Sequence, residues 1–309
     1  MLTVLFSAPD RIWPEYRDAL PQALQDLGLE ATLTREANPS EVDYIVYAPN
    51  DSLTDFIPFT RAKAVLSLWA GVEKIVGNTT LTQPLCRMVD DGLALGMRDY
   101  VLGHVMRYHL GMDRYIHGLN GDWQHICPPL ARDRKVTVLG LGELGKTCAE
   151  AISDAGFAVT GWSRRPKEIP GLTCLSGTEG LRDALKSAEI LVLLLPDTPE
   201  TQNTLNAETL ALLPEAARII NPGRGTLIDD AALLDALDRG QIGHATLDVF
   251  RIEPLPTEHP YWQHPRVTVT PHIAAETRAA TASAVIAENI RRGEAGQPFL
   301  HGVDRGAGY

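Results

Sequence analysis

The stretch Arg134–Arg165, RKVTVLGLGELGKTCAEAISDAGFAVTGWSRR, decides how this chain folds. It opens on the apolar, β-rich run Val136–Leu139, too short for a helix and too continuous for a half-exposed strand, which is how a buried parallel strand reads. Gly140, Gly142 and Gly145 follow in G-x-G-x-x-G spacing. A helical pattern then runs from Gly145 to about Ala155, Gly156 stops it, and Phe157–Trp162 reads as a second strand. Gly140 permits the tight turn, and Gly142 lets the backbone approach a pyrophosphate with no Cβ in the way. Gly145 lets helix and strand pack closely, while Glu143 and Leu144 stand at the positive end of the helix, where the phosphates belong. Three glycines alone are weak evidence. Here strand, helix and second strand all fall where the motif needs them, and the spacing predicts a dinucleotide site.

The end of the second strand bears on which dinucleotide. A chain selecting NAD carries an acid about 20 residues beyond the glycines, to accept hydrogen bonds from the ribose 2′-OH. Ser163, Arg164 and Arg165 stand there instead, with Lys167 just beyond. A hydroxyl and two guanidiniums suit a 2′-phosphate that a carboxylate would repel, so NADP(H) is expected ahead of NAD(H).

The 309 residues have room for two domains of ordinary size, and 44% apolar with 22% charged residues is the composition of a globular chain. Against 39 acidic side chains stand 28 basic ones, a formal net charge of −11. That balance argues against an extended nucleic-acid or anionic-membrane surface. Cys86, Cys127, Cys148 and Cys174 form no C-x-x-C pair and no close Cys/His cluster. Neither a metal site nor a disulfide framework is expected, and the plain reading is buried free thiols in a reducing cytoplasm. The opening MLTVLFSAPDRIW has an apolar run broken by Asp10 and Arg11, so it reads as a first strand and not a signal peptide. No apolar run approaches membrane-spanning length.

Residues 1 to about 95 alternate strand and helix signals: Thr3–Ser7, a helix at Glu15–Gly28, then strands at Ala31–Thr34, Tyr44–Ala48 and Ala64–Ser67. This is a small α/β domain. Its last strand runs into Leu68-Trp69-Ala70-Gly71-Val72, where glycine after a strand can turn backbone amides toward a carboxylate. Met97 to about Tyr115 has the period of a long helix, with Asn120-Gly121-Asp122-Trp123 as its break. Beyond the glycine motif, strands are expected at Ile190–Leu195, Arg218–Asn221, Gly243–Asp248 and Val267–Thr270. Helices are expected at Glu179–Ser187, near Glu208–Leu213 and at Asp229–Gly240. Six strands with helical crossovers make a doubly wound, Rossmann-type sheet. The helix Glu276–Arg292 cannot extend that sheet and is expected to pack back on the first domain. The fold class is thus α/β in two domains joined by two crossings, with a cleft between them. Residues 1–96 with 274–309 form the smaller, flavodoxin-like substrate domain, and 97–273 the dinucleotide domain.

Three polar residues lie at ends of late strands, where open α/β sheets place their ligands. Arg224 lies in Asn221-Pro222-Gly223-Arg224-Gly225, Glu253 in Asp248-Val249-Phe250-Arg251-Ile252-Glu253-Pro254, and His272 just after Val267–Thr270. Together they offer a forked cation for a carboxylate or ketone oxygen, a titratable imidazole, and an acid to orient it. Singly each has a bland reading; beside a nicotinamide site they describe reduction of a 2-keto acid.

In order along the chain, Gly140–Gly145, Asn221-Pro-Gly-Arg-Gly225, Leu247-Asp-Val-Phe250, Glu253-Pro-Leu-Pro256 and Thr270-Pro-His-Ile-Ala-Ala275 resemble the D-isomer-specific 2-hydroxyacid dehydrogenases. Tyr261-Trp-Gln-His-Pro-Arg-Val267 and Val303-Asp-Arg-Gly-Ala-Gly-Tyr309 are similar to the bacterial subgroup that reduces glyoxylate and hydroxypyruvate. The resemblance spans nearly the whole chain. It implies that His272 protonates the ketone oxygen, that Glu253 keeps its imidazole charged and oriented, and that Arg224 clamps the substrate. It implies that Ala70, Gly71 and Val72 hold the substrate carboxylate, with Tyr47 and Trp69 as pocket wall. It also implies that Leu195, Pro196, Thr201, Asn221, Pro222, Gly223, Asp248 and His272 line the cofactor. Glu73 stands where the family usually has Asp, and Pro222-Gly223 where it has a small aliphatic pair.

The same resemblance implies a homodimer formed through the dinucleotide domain, with Trp123 at the interface. Two other readings share the residues: an NADP-dependent reductase of bulkier 2-keto acids, and a dinucleotide-sensing, corepressor-like regulator. The chain ending soon after Arg305, with no binding tail, favours the enzyme.

Overall fold

A computed structural model describes residues 1–116 and 118–306; the last three positions of the Val303–Tyr309 similarity lie outside the described residues. The chain divides into two compact units, Met1–Leu93 with Glu276–Tyr309, and Ala94–Ala275. Each is built on its own parallel sheet.

The first unit contains β1 (Leu2–Ser7), α1 (Trp13–Asp26), β2 (Ala31–Thr34), β3 (Tyr44–Tyr47), β4 (Ala64–Ser67), the short α2 (Glu73–Val76) and β5 (Leu85–Cys86). The sheet order is β2-β1-β3-β4-β5, every pair parallel. All four residues of β3 and of β4 are buried, as parallel strands covered on both faces must be. α1 turns one stripe inward, Tyr16, Leu20 and Leu24. β5 was not expected, because two residues leave no legible run.

The chain passes into the second unit within α3 (Asp91–Leu110). This helix begins before the expected Met97 and ends before Tyr115. Gly111, at φ +63°, takes the left-handed conformation that commonly closes a helix, and α4 (Asp113–Ile116) is a separate turn. There follow β6 (Lys135–Leu139), α5 (Glu143–Asp154), β7 (Ala158–Ser163), β8 (Thr173–Ser176), α6 (Gly177–Ser187), β9 (Ile190–Leu193) and α7 (Ala207–Leu210). β10 (Ala217–Asn221), α8 (Asp230–Asp238), β11 (Ile242–Leu247) and β12 (Val267–Val269) complete the unit. The chain then returns to the first unit as α9 (Ala279–Glu294), whose Ala282, Ile286 and Ile290 share a core with Tyr16, Leu20 and Leu24 of α1.

The second sheet runs β12-β11-β10-β9-β6-β7-β8 and is parallel throughout. It has seven strands where six were expected. The extra one, β8, is an edge strand with an exposed or half-buried residue at every position, so it lacks the apolar run that marked the others. Residues alternate between two cores: Leu191 and Leu193 enter one, Ile190 and Val192 the other. Both faces are therefore closed, and ligands are left the strand ends. Because all strands are parallel, the loops after β6, β7, β9, β10, β11 and β12 emerge along one edge. The strand order reverses between β6 and β9, the switch point at which such sheets bind ligands.

Candidate functional site

The glycine loop follows β6 at that switch point. Gly140 has φ +102°, and a Cβ on it would meet the Leu194 carbonyl oxygen at 2.4 Å. A Cβ on Gly145 would lie 1.7 Å from the Gly140 carbonyl oxygen, so α5 rests directly on the loop only because that atom is absent. Gly142 is the N-cap of α5, and no side chain caps the helix; a Cβ there would meet nothing within 4 Å. The first amides of α5, on Glu143 and Leu144, thus open onto unobstructed space at the positive end of a helix. That is a cradle for phosphate.

At the end of the neighbouring β7, Ser163 is buried and its hydroxyl donates to the Arg165 carbonyl at 2.8 Å, pinning the turn that carries Arg164 and Arg165 outward. Lys167 Nζ donates to the Leu141 carbonyl at 2.5 Å, which brings a further cation beside the glycine loop. No carboxylate occupies positions 163–167. These residues fit a 2′-phosphorylated dinucleotide: open helix amides for the pyrophosphate, arginines and a lysine for the third phosphate.

After β9, Leu195 is buried in the core, and Thr201 Oγ1 donates to the Pro196 carbonyl at 2.6 Å while accepting the Thr198 amide at 2.9 Å. Thr201 therefore holds the shape of this loop. After β10, the buried Asn221 accepts the Gly223 amide at 3.1 Å and donates to the Arg224 carbonyl at 2.9 Å. Pro222 and Gly223 are buried beneath it. A Cβ on Gly223 would lie 2.8 Å from the Leu193 carbonyl oxygen, and one on Gly225 2.0 Å from the Phe250 carbonyl carbon. The Arg224 loop is wedged between the end of β9 and the Phe250 segment, and Arg224 Nη1 donates to the Gly223 carbonyl at 2.7 Å.

The wedge matters because the Phe250 segment carries Glu253. One oxygen of Glu253 accepts the Phe250 amide at 2.9 Å; the other lies 2.7 Å from His272 Nδ1. With Nδ1 held there, Nε2 is the nitrogen left for a reacting molecule, on a side chain 53% exposed. His272 has φ +55°, and its amide donates to the Asp248 carbonyl at 2.8 Å. The Asp248 side chain is fully enclosed: it accepts the Thr270 hydroxyl at 2.6 Å and the Ile273 and Ala274 amides at 2.9 Å each. Its role within the chain is to hold the turn under His272, a role its place in the sequence does not reveal. His272 and the glycine loop lie four strands apart along the edge, roughly 19 Å at ordinary spacing. The imidazole–carboxylate pair and the glycine loop thus stand at separate places along one edge.

In the first unit, the turn after β4 is set by Ser67, whose Oγ accepts the Trp69 amide at 3.1 Å and donates to the Trp69 carbonyl at 3.0 Å. Among the described residues, no acceptor stands opposite the amides of Ala70, Gly71 and Val72. Trp69 is half-buried, whereas Tyr47 is 5% exposed and packs edge-on against Phe56 at 5.5 Å. Tyr47 thereby has a position within the core of the first unit.

Cys127 is exposed, contrary to the expectation of uniformly buried thiols, and no disulfide is found among the described residues. Among those residues, no group of three or more His, Cys, Asp or Glu is arranged to hold a metal ion, and no helix is long and apolar enough to cross a membrane.

Residues 100–274 match the model of the D-isomer specific 2-hydroxyacid dehydrogenase NAD binding domain. The chain belongs to the D-isomer specific 2-hydroxyacid dehydrogenase family. As a dehydrogenase of this family it is 37% identical, over all of both chains, to glyoxylate/hydroxypyruvate reductase A of Serratia proteamaculans. It is 35% identical to the same-named protein of Yersinia enterocolitica, again over all of both chains. Among solved dehydrogenases it is similar to that of Xanthobacter autotrophicus in complex with NADPH and MES, with TM-score 0.91, 38% identity and 99% of each chain covered. The NADPH-dependent glyoxylate/hydroxypyruvate reductase of Sinorhizobium meliloti, in complex with NADP and sulfate, aligns over all of both chains with TM-score 0.84 and 32% identity.

Proposed function

We propose that this dehydrogenase catalyses NADPH-dependent reduction of a small 2-keto acid, of the glyoxylate and hydroxypyruvate kind, to the 2-hydroxy acid, D-specific where the product is chiral. One observation carries the reading. The His272–Glu253 pair, at 2.7 Å, stands on the same sheet edge as a glycine loop flanked by Arg164, Arg165 and Lys167. The names of the full-length relatives support it.

The nicotinamide, when bound, supplies the hydride. His272 Nε2 delivers a proton to the ketone oxygen as negative charge develops there. Glu253 holds the opposite nitrogen and sets the ring's orientation. Arg224 receives the substrate carboxylate and carbonyl through its forked donors. In the first unit, the amides of Ala70, Gly71 and Val72 are donors suited to a carboxylate. Arg164 and Arg165 bind the 2′-phosphate.

We also assign a homodimer. Leu110, Met112, Ile116, Trp123, Ile126 and Leu130 are each more than 40% exposed within one short segment of the second unit, and Trp123 is 91% exposed. A tryptophan so placed is a natural interface anchor. From the acidic composition and the cysteine spacing we infer a cytoplasmic location.

The deciding assay is NADPH and NADH oxidation with glyoxylate, hydroxypyruvate, pyruvate and phenylpyruvate. Turnover of the two smallest acids with NADPH is expected; no turnover of any keto acid would overturn the reading.

A further inference from the structure

Tyr100 lies on α3 and is separated from Arg224, Glu253 and His272 by more than a hundred positions, yet its hydroxyl is 2.7 Å from Thr270 Oγ1. Thr270 in turn donates its only hydroxyl proton to Asp248 Oδ1 at 2.6 Å, so Tyr100 is the donor to Thr270. Burial pushes the Tyr100 hydroxyl well above its ordinary titration range, and Asp248 adds to that effect against opposing contributions from Thr270 and Arg107. It therefore remains a donor. The His104 ring lies against Tyr100, 4.5 Å between centroids.

We propose that Tyr100 and Thr270 are positioning residues for His272, acting through the enclosed Asp248 carboxylate. The chain of contact is continuous within one unit. Asp248 has no exposure, and its Oδ1 is shared by the Thr270 hydroxyl and the Ile273 amide, so loss of the hydroxyl leaves a charged oxygen in the interior one donor short. The same carboxylate grips the amides of Ile273 and Ala274, the two residues after His272. His272 sits at φ +55°, a conformation that a side-chain-bearing residue keeps only where its surroundings over-determine it. A carboxylate held by three donors over-determines this one. Loosening it lets the turn relax, and the 2.7 Å contact from Nδ1 to Glu253 is what the relaxation breaks first. The proposal rests on His272 being the proton donor of the reaction proposed above.

The test uses the full chain with NADPH and glyoxylate. Tyr100→Phe is expected to lower kcat about tenfold and Thr270→Val more, the size expected when a supporting contact displaces a reacting group. Dissociation of NADPH should stay within about twofold, because the phosphate loops are untouched. The pH profile of kcat should change, since the imidazole is no longer held against Glu253. Thr270→Ser, which keeps the hydroxyl, should restore wild-type kcat and profile, and it decides the matter together with Tyr100→Phe if Thr270→Val does not fold. A second readout needs no turnover. In the free protein labelled with ¹⁵N-histidine, the His272 signals, assigned by their loss in His272→Ala, should shift in Tyr100→Phe and keep their wild-type positions in Thr270→Ser. An unchanged pH profile and unchanged His272 signals in Tyr100→Phe would overturn the proposal, whatever its thermal stability. Absence of turnover in the wild type, with the His272 signals still responding to Tyr100→Phe, would overturn the assigned reaction and leave the relay standing.

Discussion

His272 meets Glu253 at 2.7 Å while its backbone is tied to Asp248, so the imidazole has one nitrogen fixed and one presented. Replacing His272 by Ala should lower kcat by roughly 10²–10⁴-fold, the span for losing a positioned acid, while NADPH titrated by fluorescence still binds. Near-normal kcat with an unchanged pH dependence would assign the proton to another group. At the other end of the edge, Arg164 and Arg165 are exposed in a turn whose positions 163–167 include no acidic residue. The double change Arg164→Ala/Arg165→Ala should weaken NADPH by on the order of 1–3 kcal/mol and leave NADH nearly untouched. The ratio of kcat/KM values for the two cofactors measures this directly. Equal values in the unmutated enzyme would remove the 2′-phosphate from the account.

The α5 helix shows how an element is placed by what a residue lacks. A Cβ on Gly145 would stand 1.7 Å from the Gly140 oxygen, a backbone atom that cannot swing aside. Gly145→Ala must therefore push α5 away from the end of β6. We expect a loss of roughly 2–3 kcal/mol in urea denaturation, together with weakened NADPH binding, because the helix amides are displaced from the phosphates. A variant that bound NADPH normally would show that close packing of α5 on the loop is not what shapes the cradle. The same element logic explains β8: its place is set by pairing to β7, Thr160↔Thr173 through Ser163↔Ser176, and not by any apolar pattern of its own.

For the molecule as a whole, two outcomes are expected in solution. Light scattering at micromolar concentration should give the mass of a dimer, and Trp123→Ala should shift the population toward monomer; a wild-type monomer would remove the interface. The second concerns acid. Burial holds His244 down at about 4 from its ordinary value of 6.5, and Arg107 and Arg218 push the same way against Asp113. Burial also lowers His104, on the facing α3. A histidine depressed in the fold binds its proton in the unfolded chain first. Stability is therefore complete above about 6.5, declines as the pH falls from there toward 4, and declines no further below it. His244 alone should remove about 2 kcal/mol between pH 8 and pH 5. Urea midpoints across that range, with and without His244→Gln, measure the difference.

The second sheet was legible in the sequence because its strands are buried on both faces: runs such as Val136–Leu139 and Ile190–Leu193 leave no other reading, and glycine spacing marks where the chain turns at a phosphate. Arg224, Glu253 and His272 were legible as strand-end residues for the same reason. Tertiary structure alone decided the rest. Neither β5, two residues long, nor β8, at the sheet edge, carries a local pattern. Tyr47 sits in a core that closes around it only when Phe56 packs edge-on to its ring. The link from Tyr100 through Thr270 to Asp248 joins a helix to a loop across a separation of 170 positions. A hydrogen bond depends on where two atoms stop in space, and nothing local in the sequence records that distance.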